Sequence, residues 1–396
     1  MKYAVLTLCL LLAPLAKSIN SQSYFKDTLA EFKTDFINRG QHLQKSNDKI
    51  VMGQSAIAFD SAPSTDFPNQ IDFLLVPSSH KKNLVVIQSG AHGIEGYAGA
   101  SIQNFLLEYL HAKSYQNTAF LYIHLINPAG MSLGRRTNLN NVDLNRNFLI
   151  QDRDFSQKSE DYAAINDFLN PETPYQSGVF KTLSFYFNSL YLIYNHSIDT
   201  LRRSILKGQH MYPTGVYFGG QQHQPEFTAL KKIWDAQILG YEKIIYIDLH
   251  TGYGEKGRLH LLGGHSEDER SKKLANVFHP TGIDFSNNKN FYETKGDILG
   301  YFDNTYKSQG DIFAVTFEFG TLNSQTTLGS LDSLYRMVSE NQAYHHKTTD
   351  EDSLKQVKKS FRDMFYPPDF EWRDKTLIQT RNEIDKIVQK SENGSF

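Results

Sequence analysis

The sequence predicts an α/β fold in which helices pack against a mostly parallel β-sheet. Short apolar runs bounded by turn residues, such as residues 84–87 and 244–247, are typical of strands buried on both faces. A Gly-rich loop follows residue 87, and residues 98–110 then show the spacing of a helix that packs back on the sheet. A chain of 396 residues that is 40% hydrophobic can also bury one large core.

The predicted elements alternate along most of the chain. Each helix is predicted from apolar residues three or four positions apart, and each strand from a short apolar run rich in β-branched or aromatic residues. The predicted strands are residues 71–76, 84–87, 120–126, 244–247, 258–262 and 312–320. The predicted helices are residues 23–45, 98–110, 162–169, 180–206, 267–278 and 328–344, with further helix-like sequence from residue 348 onward.

Composition and charge exclude several kinds of partner. The formal net charge is −2 and no block of Lys or Arg is present, so we expect no binding to nucleic acid or to an anionic membrane. Residues 1–18 have the basic start, apolar run and small residues of a secretory signal peptide. Cys9, the only cysteine, lies in that segment, so a thiol nucleophile, a Cys-ligated metal and a disulfide are excluded from the mature chain. We expect a periplasmic or secreted protein without a membrane anchor after cleavage.

Three predicted strands each end in chemically active side chains. In chain order they carry His92 with Glu95, then His250, then Glu318. Ligands of open α/β sheets bind outside the carboxyl ends of the strands, so these side chains are expected to converge. Two His and one Glu form the ligand set of hydrolytic zinc sites. We therefore expect one zinc ion per chain as cofactor, with Glu318 as the base that takes a proton from water.

Each of these residues also has an ordinary structural interpretation. A His-x-x-Glu pair arises easily by chance, and a lone His at a strand end, such as His250, is more often packed and hydrogen-bonded than a ligand. Glu318 is flanked by Phe317 and Phe319, and a buried structural carboxylate paired with an Arg is the alternative for it. The order and spacing of the residues favour a site over separate coincidences.

Five ordered motifs make the sequence similar to a known superfamily. They are Asn127-Pro128, Arg136-Thr-Asn138, Val142-Asp-Leu-Asn-Arg-Asn-Phe148, Asp248-Leu-His-Thr251 and Thr316-Phe-Glu-Phe-Gly320. Together they resemble the zinc carboxypeptidases, also called funnelins. One bacterial branch of that superfamily, long catalogued as a domain of unknown function, is similar in Ser89-Gly-Ala-His-Gly-Ile-Glu-Gly-Tyr-Ala-Gly99, Gly208-Gln209 and Pro213-Thr-Gly-Val-Tyr-Phe-Gly-Gly220. The resemblance implies a three-layer α/β/α sandwich around a mixed, mostly parallel sheet, carboxypeptidase-like in topology.

Carried over residue by residue, the resemblance assigns the same four residues to zinc and to the general base, and it adds others. Arg136 matches the arginine that polarises the scissile carbonyl and stabilises its oxyanion. Asn145 and Arg146 match the pair that grips the terminal carboxylate of the substrate, a task that suits a planar guanidinium. Asp143 matches the carboxylate that orients the first His ligand.

Two departures limit what the resemblance implies. The digestive carboxypeptidases have a substrate-binding arginine just before the ligand Glu, and this chain has Ile94. One substrate contact is thereby removed, so the resemblance does not imply their specificity. The phenolic residue expected between the second His and the base is not placed, because Tyr292, Tyr301 and Tyr306 all compete.

Three regions are predicted: a signal peptide at residues 1–18, a zinc-carboxypeptidase-like catalytic domain at residues 19–345, and a helical tail at residues 346–396. An insertion at residues 151–240 is expected to overhang the site and narrow its entrance. Its Tyr and Phe side chains are expected to form a core for its own helices rather than a substrate surface.

The expected activity is zinc-dependent cleavage of an amide bond next to a free carboxylate, as in a carboxypeptidase acting on small peptides. An N-acyl amino acid deacylase resembling aspartoacylase and succinylglutamate desuccinylase would use the same chemistry and a similar His-Gly-x-Glu motif. Those enzymes carry an extra C-terminal β domain, whereas residues 348–396 have a helical pattern. A binding protein that kept the fold without catalysis is the third alternative.

Overall fold

A computed structural model describes residues 21–59, 67–263, 269–285, 295–348 and 350–395. The signal peptide predicted at residues 1–18 and the candidate Tyr292 lie outside these ranges. Among the described helices, none is both long and apolar enough to cross a bilayer.

Eight described strands form one mixed sheet. They are β1 (Val51–Ala56), β2 (Gln70–Val76), β3 (Asn83–Ser89), β4 (Thr118–His124), β5 (Lys243–Gly252), β6 (Leu259–Gly263), β7 (Asp284–Phe285) and β8 (Asp311–Gly320). Their order across the sheet is β1-β2-β4-β3-β5-β8-β6-β7. The central strands β4, β3, β5 and β8 run parallel, whereas β2 and β6 are antiparallel to their central neighbours.

The first strand, β1, is missing from the sequence prediction, which begins the sheet at residue 71. Its sequence contains Gly53 and Gln54, and most of its residues are exposed or half-buried. Such an edge strand is held by main-chain pairing to β2 and lacks the continuous apolar run that marks a buried strand.

The described α-helices surround the sheet. They are α1 (Leu29–Ser46), α2 (Gly96–Leu110), α3 (Pro128–Leu133), α4 (Glu160–Ala163), α5 (Asn166–Leu169), α6 (Val179–His196), α7 (Ile198–Leu206), α8 (Pro225–Gln237), α9 (Glu269–Ala275), α10 (Ile298–Tyr306), α11 (Thr327–His346), α12 (Glu351–Phe365) and α13 (Phe370–Glu392). Thr28 and Glu31 form a capping box at the start of α1, which explains why this helix begins where it does.

Strand β3 shows how helices cover both faces of the sheet. All seven of its residues are buried. Val85 and Ile87 belong to a hydrophobic cluster shared with α2 and α13, whereas Leu84 and Val86 belong to a second cluster shared with α8 and α10. The predicted three-layer α/β/α sandwich around a mixed sheet is thereby confirmed.

The helix-like sequence from residue 348 onward forms α12 and α13, and both pack into the core. Trp372 of α13 is 1% exposed and donates its indole N–H to the Gly320 carbonyl over 2.9 Å. Thr251 donates its hydroxyl to the Phe365 carbonyl over 2.7 Å. Because Thr251 and Gly320 lie at the carboxyl ends of β5 and β8, these helices support the edge of the sheet that carries the predicted site.

The insertion at residues 151–240 contains α4 to α8. Its Tyr and Phe side chains were expected to form a core for its own helices, and only some of them do. Phe185 is 9% exposed and stacks on Phe168, with ring centroids 4.9 Å apart. On the opposite face of α6, Phe180, Phe187 and Tyr194 are exposed by 90%, 71% and 88%. The prediction is therefore wrong for these three residues, because the helical spacing divides the aromatic residues between a packed face and a solvent face.

Candidate metal and catalytic site

The predicted site residues meet in one cavity of about 630 Å³ at the carboxyl ends of β3, β5 and β8. Its walls also include residues of α5, α6, α7 and α11, so the insertion overhangs the site as expected. The site residues among its lining are His92, Glu95, Arg136, Asn145, Arg146, His250 and Glu318.

His92, Glu95 and His250 form a buried cluster whose donor atoms lie within 4.8 Å of one another. The Nδ1 atoms of the two histidines are 3.2 Å apart. The Glu95 carboxylate lies 2.8 Å from Nδ1 of His92 and 2.9 Å from Nδ1 of His250. Two imidazole nitrogens and a carboxylate from the ends of two strands, β3 and β5, therefore face one common point.

The remaining ring nitrogen of each histidine is fixed by a buried aspartate. Nε2 of His92 lies 3.1 Å from Asp143, and Nε2 of His250 lies 2.9 Å from Asp248. A carboxylate partner at Nε2 holds a proton there, so Nδ1 is the nitrogen of each ring that would bind a cation in the cluster. Asp248 lies two residues before His250, where the sequence motif contained it without a role.

The charges in this cluster depend strongly on one another. Burial alone would raise the pKa of Glu95, but His92 and the hydrogen bond from His250 hold that pKa well below its ordinary range. Burial alone would lower the pKa of His250, but Asp248 and Glu95 raise it well above its ordinary value. Buried carboxylates thus surround the common point of the cluster, and a bound cation would balance their charge.

A close backbone contact positions the motif loop of His92. The N–H groups of Gly93 and Ile94 donate to the carbonyls of Arg136 and Arg135 over 3.0 and 2.8 Å. A Cβ at Gly93 would lie 2.3 Å from the Gly130 carbonyl carbon, so only glycine fits this crossing. Ile94 is 1% exposed and packs in the core, so the position of the digestive enzymes' arginine does not face the cavity here.

Arg136 joins the cluster to its supporting aspartate. Its Nε donates to Asp143 over 3.1 Å and its Nη1 to Glu95 over 3.0 Å. Its Nη2 donates to none of the described residues, and the guanidinium lies 5.3 Å from the ring centre of Tyr217. Asp143 therefore holds both His92 and Arg136. Burial alone would raise the pKa of Asp143, but the charges of Arg136 and His92 outweigh it and hold that pKa well below its usual range.

Glu318 lies at the end of β8, directly opposite His250 in the parallel pairing with β5. Its Oε1 accepts the backbone N–H of Tyr253 over 2.9 Å. Burial, followed by the charge of Glu95, raises the pKa of Glu318 to about 8. The flanking rings of Phe317 and Phe319 belong to the hydrophobic cluster, so the carboxylate alone faces the cavity.

Asn145 and Arg146 line the cavity beside α7 and α10. The Asn145 side-chain oxygen accepts the N–H of Ile298 at the start of α10 over 3.0 Å. Arg146 donates through Nε and Nη2 to the Leu206 carbonyl, over 2.9 and 2.6 Å, and through Nη1 to the Asn145 carbonyl over 2.6 Å. Three of the five N–H groups of a guanidinium are then used, which leaves one on each Nη for a ligand. Gly208, with φ +82°, lets the chain pass beside this side chain.

Sequence reasoning missed Tyr217 and left the phenol open. Tyr301 packs among Phe148, Phe227 and Trp234 and does not line the cavity, and the Tyr306 hydroxyl donates to an aspartate of α8 over 2.6 Å. Neither tyrosine lines the cavity, so neither is the phenolic residue of the site. Tyr217 lies in the cavity wall within the motif of residues 213–220, and its φ of +56° is unusual for a tyrosine. That motif was a detectable signal, but contact with Arg136 could be seen only in three dimensions.

A family model described as "Protein of unknown function (DUF2817)" matches residues 55–379. The chain belongs to the DUF2817 family. This confirms the predicted bacterial branch, and the match continues past residue 345 into α13. No curated protein matches the chain significantly.

Several solved structures are similar to this DUF2817 chain at low identity. Bovine thrombin-activatable fibrinolysis inhibitor in complex with tick carboxypeptidase inhibitor has 12% identity and a TM-score of 0.44, covering 84% of this chain and 99% of that one. A candidate metallopeptidase from Shewanella amazonensis has 12% identity and a TM-score of 0.38, covering 86% and 94%. Murein-tripeptide amidase MpaA from Escherichia coli has 15% identity and a TM-score of 0.31, covering 72% and 92%.

Proposed function

We propose that the protein is a zinc-dependent hydrolase that cleaves an amide bond next to a free carboxylate, most simply as a carboxypeptidase-like peptidase. One observation carries this proposal. The His92, Glu95 and His250 cluster shares its cavity with Glu318 Oε2 and Arg136 Nη2, neither of which has a hydrogen-bond partner among the described residues. A ligand set, a base and an oxyanion donor therefore lie around the same space.

The donor set fits zinc. Two neutral imidazoles and one carboxylate are typical of hydrolytic zinc sites, which keep an open coordination position. Asp143 and Asp248 hold the two rings with Nδ1 inward, and such partners are the usual support of zinc-bound histidines. His92, Glu95 and His250 would hold the ion, which when bound supplies Lewis-acid activation of a water molecule and of the scissile carbonyl.

Glu318 would act as the general base and then as the general acid. The Tyr253 N–H fixes Oε1, so Oε2 remains to accept a proton from the attacking water and to return it to the nitrogen of the leaving amine. The raised pKa of Glu318 keeps that proton available near neutral pH, and a nearby cation would lower the pKa again.

Arg136 would donate from Nη2 to the oxygen that gains negative charge as the carbonyl is attacked. Its other contacts, to Asp143 and Glu95, fix the guanidinium before substrate arrives, and such preorganisation is the main source of oxyanion stabilisation. Arg146 and the side-chain amide of Asn145 would hold the free carboxylate of the substrate.

An N-acyl amino acid deacylase remains the second candidate. Against it, the C-terminal part of the chain forms the helices α12 and α13, whereas an aspartoacylase-like enzyme is expected to have a β domain there. The cavity itself favours acylated substrates, because part of its wall is apolar. We also propose a periplasmic or secreted location, which rests on residues 1–18 alone.

Metal analysis and a substrate screen test the proposed function. Purified protein should contain about one zinc per chain, and His92→Ala should lose it. Peptides and N-acyl amino acids with a free carboxylate should be hydrolysed by the wild type and not by Glu318→Gln. Absence of stoichiometric zinc would support a non-catalytic binding protein, and undiminished turnover by Glu318→Gln would exclude Glu318 as the base.

A further inference from the structure

The cavity extends well beyond the residues that the proposed chemistry uses. A large part of its lining comes from apolar side chains of the insertion and of α11, which we call the apolar arm. Its members are Phe168, Leu192, Ile193, Leu201, Leu331 and Leu334. A cavity of about 630 Å³ exceeds what a metal ion, a water molecule and a small carboxylate occupy, so the arm provides room for a further part of the substrate.

The walls of the arm are fixed to each other by polar contacts outside it. Thr182 of α6 and Tyr335 of α11 share a hydrogen bond of 3.0 Å between their hydroxyls. Lys181 donates to Gln342 over 3.1 Å. Arg202 of α7 donates through Nε to the hydroxyl of Ser330 in α11 over 3.1 Å. Both α6 and α7 are therefore tied to α11, and the arm between them is a built feature of the fold.

Two serine hydroxyls that line the cavity beside the arm are already used within the protein. The Ser189 hydroxyl donates to the Phe185 carbonyl over 2.8 Å, and the Ser330 hydroxyl donates to the Ser324 carbonyl over 2.6 Å. A peptide placed there would bury N–H and C=O groups with few partners, and each such unsatisfied group is costly. A hydrocarbon chain has no polar groups to satisfy, so the arm favours an alkyl chain over further peptide.

The arm is also separate from the place assigned to the substrate carboxylate. Arg146 contacts the carbonyl of Leu206 at the end of α7, whereas Leu201 precedes Leu206 by five residues, about 7.5 Å along a helix axis. Leu192 lies further back on α6. Arg146, Glu318 and the arm line one cavity, so a substrate with its carboxylate at Arg146 has room to extend a further part into the arm.

We propose that the apolar arm binds the acyl chain of an N-acyl amino acid, so that the substrates are amides of amino acids with medium-chain or long-chain fatty acids. This inference rests on the proposed function and specifies its substrate class. In the reaction, water adds across the amide: a C–O bond forms, the C–N bond breaks, and one proton passes through Glu318 to the nitrogen. The products are a fatty acid and a free amino acid, and no further reactant is needed.

The test is binding to the zinc-loaded full chain carrying Glu318→Gln, measured by calorimetry with N-acetyl, N-octanoyl and N-lauroyl derivatives of the same amino acid below their micelle concentrations. Each methylene that becomes buried should increase affinity about fourfold, so octanoyl should bind at least about a hundredfold more tightly than acetyl. Equal affinities for the acetyl and lauroyl compounds would overturn the proposal.

Variants in the arm locate the effect. Leu334→Trp and Leu192→Trp, each combined with Glu318→Gln, should remove the gain in affinity from chain length, because they fill the arm from α11 and from α6. Phe187→Trp is the matched control, since Phe187 lies on the solvent face of the same helix as Leu192 and is 71% exposed. A chain-length gain that survives both arm variants, or that disappears in the control, would place the acyl chain elsewhere.

Turnover separates this inference from the proposed function. Wild-type cleavage of peptides and acetyl amino acids at rates that do not depend on acyl length would overturn the acyl-chain inference and leave the hydrolase intact. Chain-length-dependent binding with undiminished hydrolysis by Glu318→Gln would keep the arm and exclude the proposed base.

Discussion

Mutation of Asp143 and of Asp248 can distinguish two roles, because both aspartates contact a candidate metal-binding histidine but only Asp143 also contacts Arg136. Each aspartate fixes one histidine through Nε2, over 3.1 and 2.9 Å. Asp143 additionally accepts from Arg136 over 3.1 Å, whereas the second oxygen of Asp248 accepts no hydrogen bond from the described residues. Replacement by asparagine keeps the shape but removes the charge and one acceptor oxygen.

Both Asp143→Asn and Asp248→Asn should weaken zinc binding by about 10-fold to 100-fold, because partners of zinc-bound histidines typically contribute that much. At saturating zinc the two variants should differ. Asp143→Asn leaves Arg136 facing an amide instead of a carboxylate, and loss of an oxyanion donor costs about 2.7–4 kcal/mol. We therefore expect kcat/KM to fall a further 10²-fold to 10³-fold in Asp143→Asn only.

The assay is hydrolysis at increasing free zinc, with zinc affinity measured by competition with a chelator. Circular dichroism and thermal unfolding control for misfolding. If saturating zinc restores both variants to the same kcat/KM, Arg136 does not depend on Asp143 and the assignment of the oxyanion donor is wrong.

Three further predictions concern the base, a buried carboxyl and a crossing of the backbone. Glu318→Gln should lower kcat by about 10²-fold to 10⁴-fold while zinc content, measured by mass spectrometry, stays unchanged; loss of zinc would contradict a role limited to proton transfer. Burial raises the pKa of Glu226 from 4.5 to about 7, so between these pH values the folded state keeps a proton that the unfolded state loses. The stability that the protonated carboxyl contributes is full below pH 4.5 and disappears as pH rises through 7. Glu226→Gln should therefore match the wild type in urea unfolding at pH 4 and exceed it by roughly 3 kcal/mol at pH 8, and equal stabilities at both values would contradict the shift. Gly93→Ala should destabilise the protein more than Gly134→Ala, because a Cβ at Gly93 meets backbone at 2.3 Å and one at Gly134 meets nothing within 4 Å; the order of the two thermal midpoints checks this.

The sequence predicted well those parts of the fold in which the local pattern of apolar residues reveals how the segment is buried. Strand β3 is buried on both faces, so its apolar run is visible without a partner. The convergence of His92 and His250 was predictable because strand ends in a parallel sheet meet at one edge. In both cases local sequence and global position agree.

The parts that were missed depend on partners distant in sequence. Edge strand β1 is defined by its pairing with β2 rather than by its own apolar content. The approach of Tyr217 to Arg136 joins a residue of the insertion to one that precedes it by 81 positions, and no local pattern encodes this contact. The exposed aromatic face of α6 was misinterpreted because composition alone does not tell which side of a helix has neighbours.

The attachment of α12 and α13 to the ends of β5 and β8 means that the site depends on residues made late in synthesis. The groups that hold Thr251 and Gly320 lie 114 and 52 residues later in the chain. A ribosome therefore completes both strands long before it makes the residues that fix their carboxyl ends. The candidate metal ligands beside these strand ends consequently obtain their full support only after α12 and α13 have packed against the sheet.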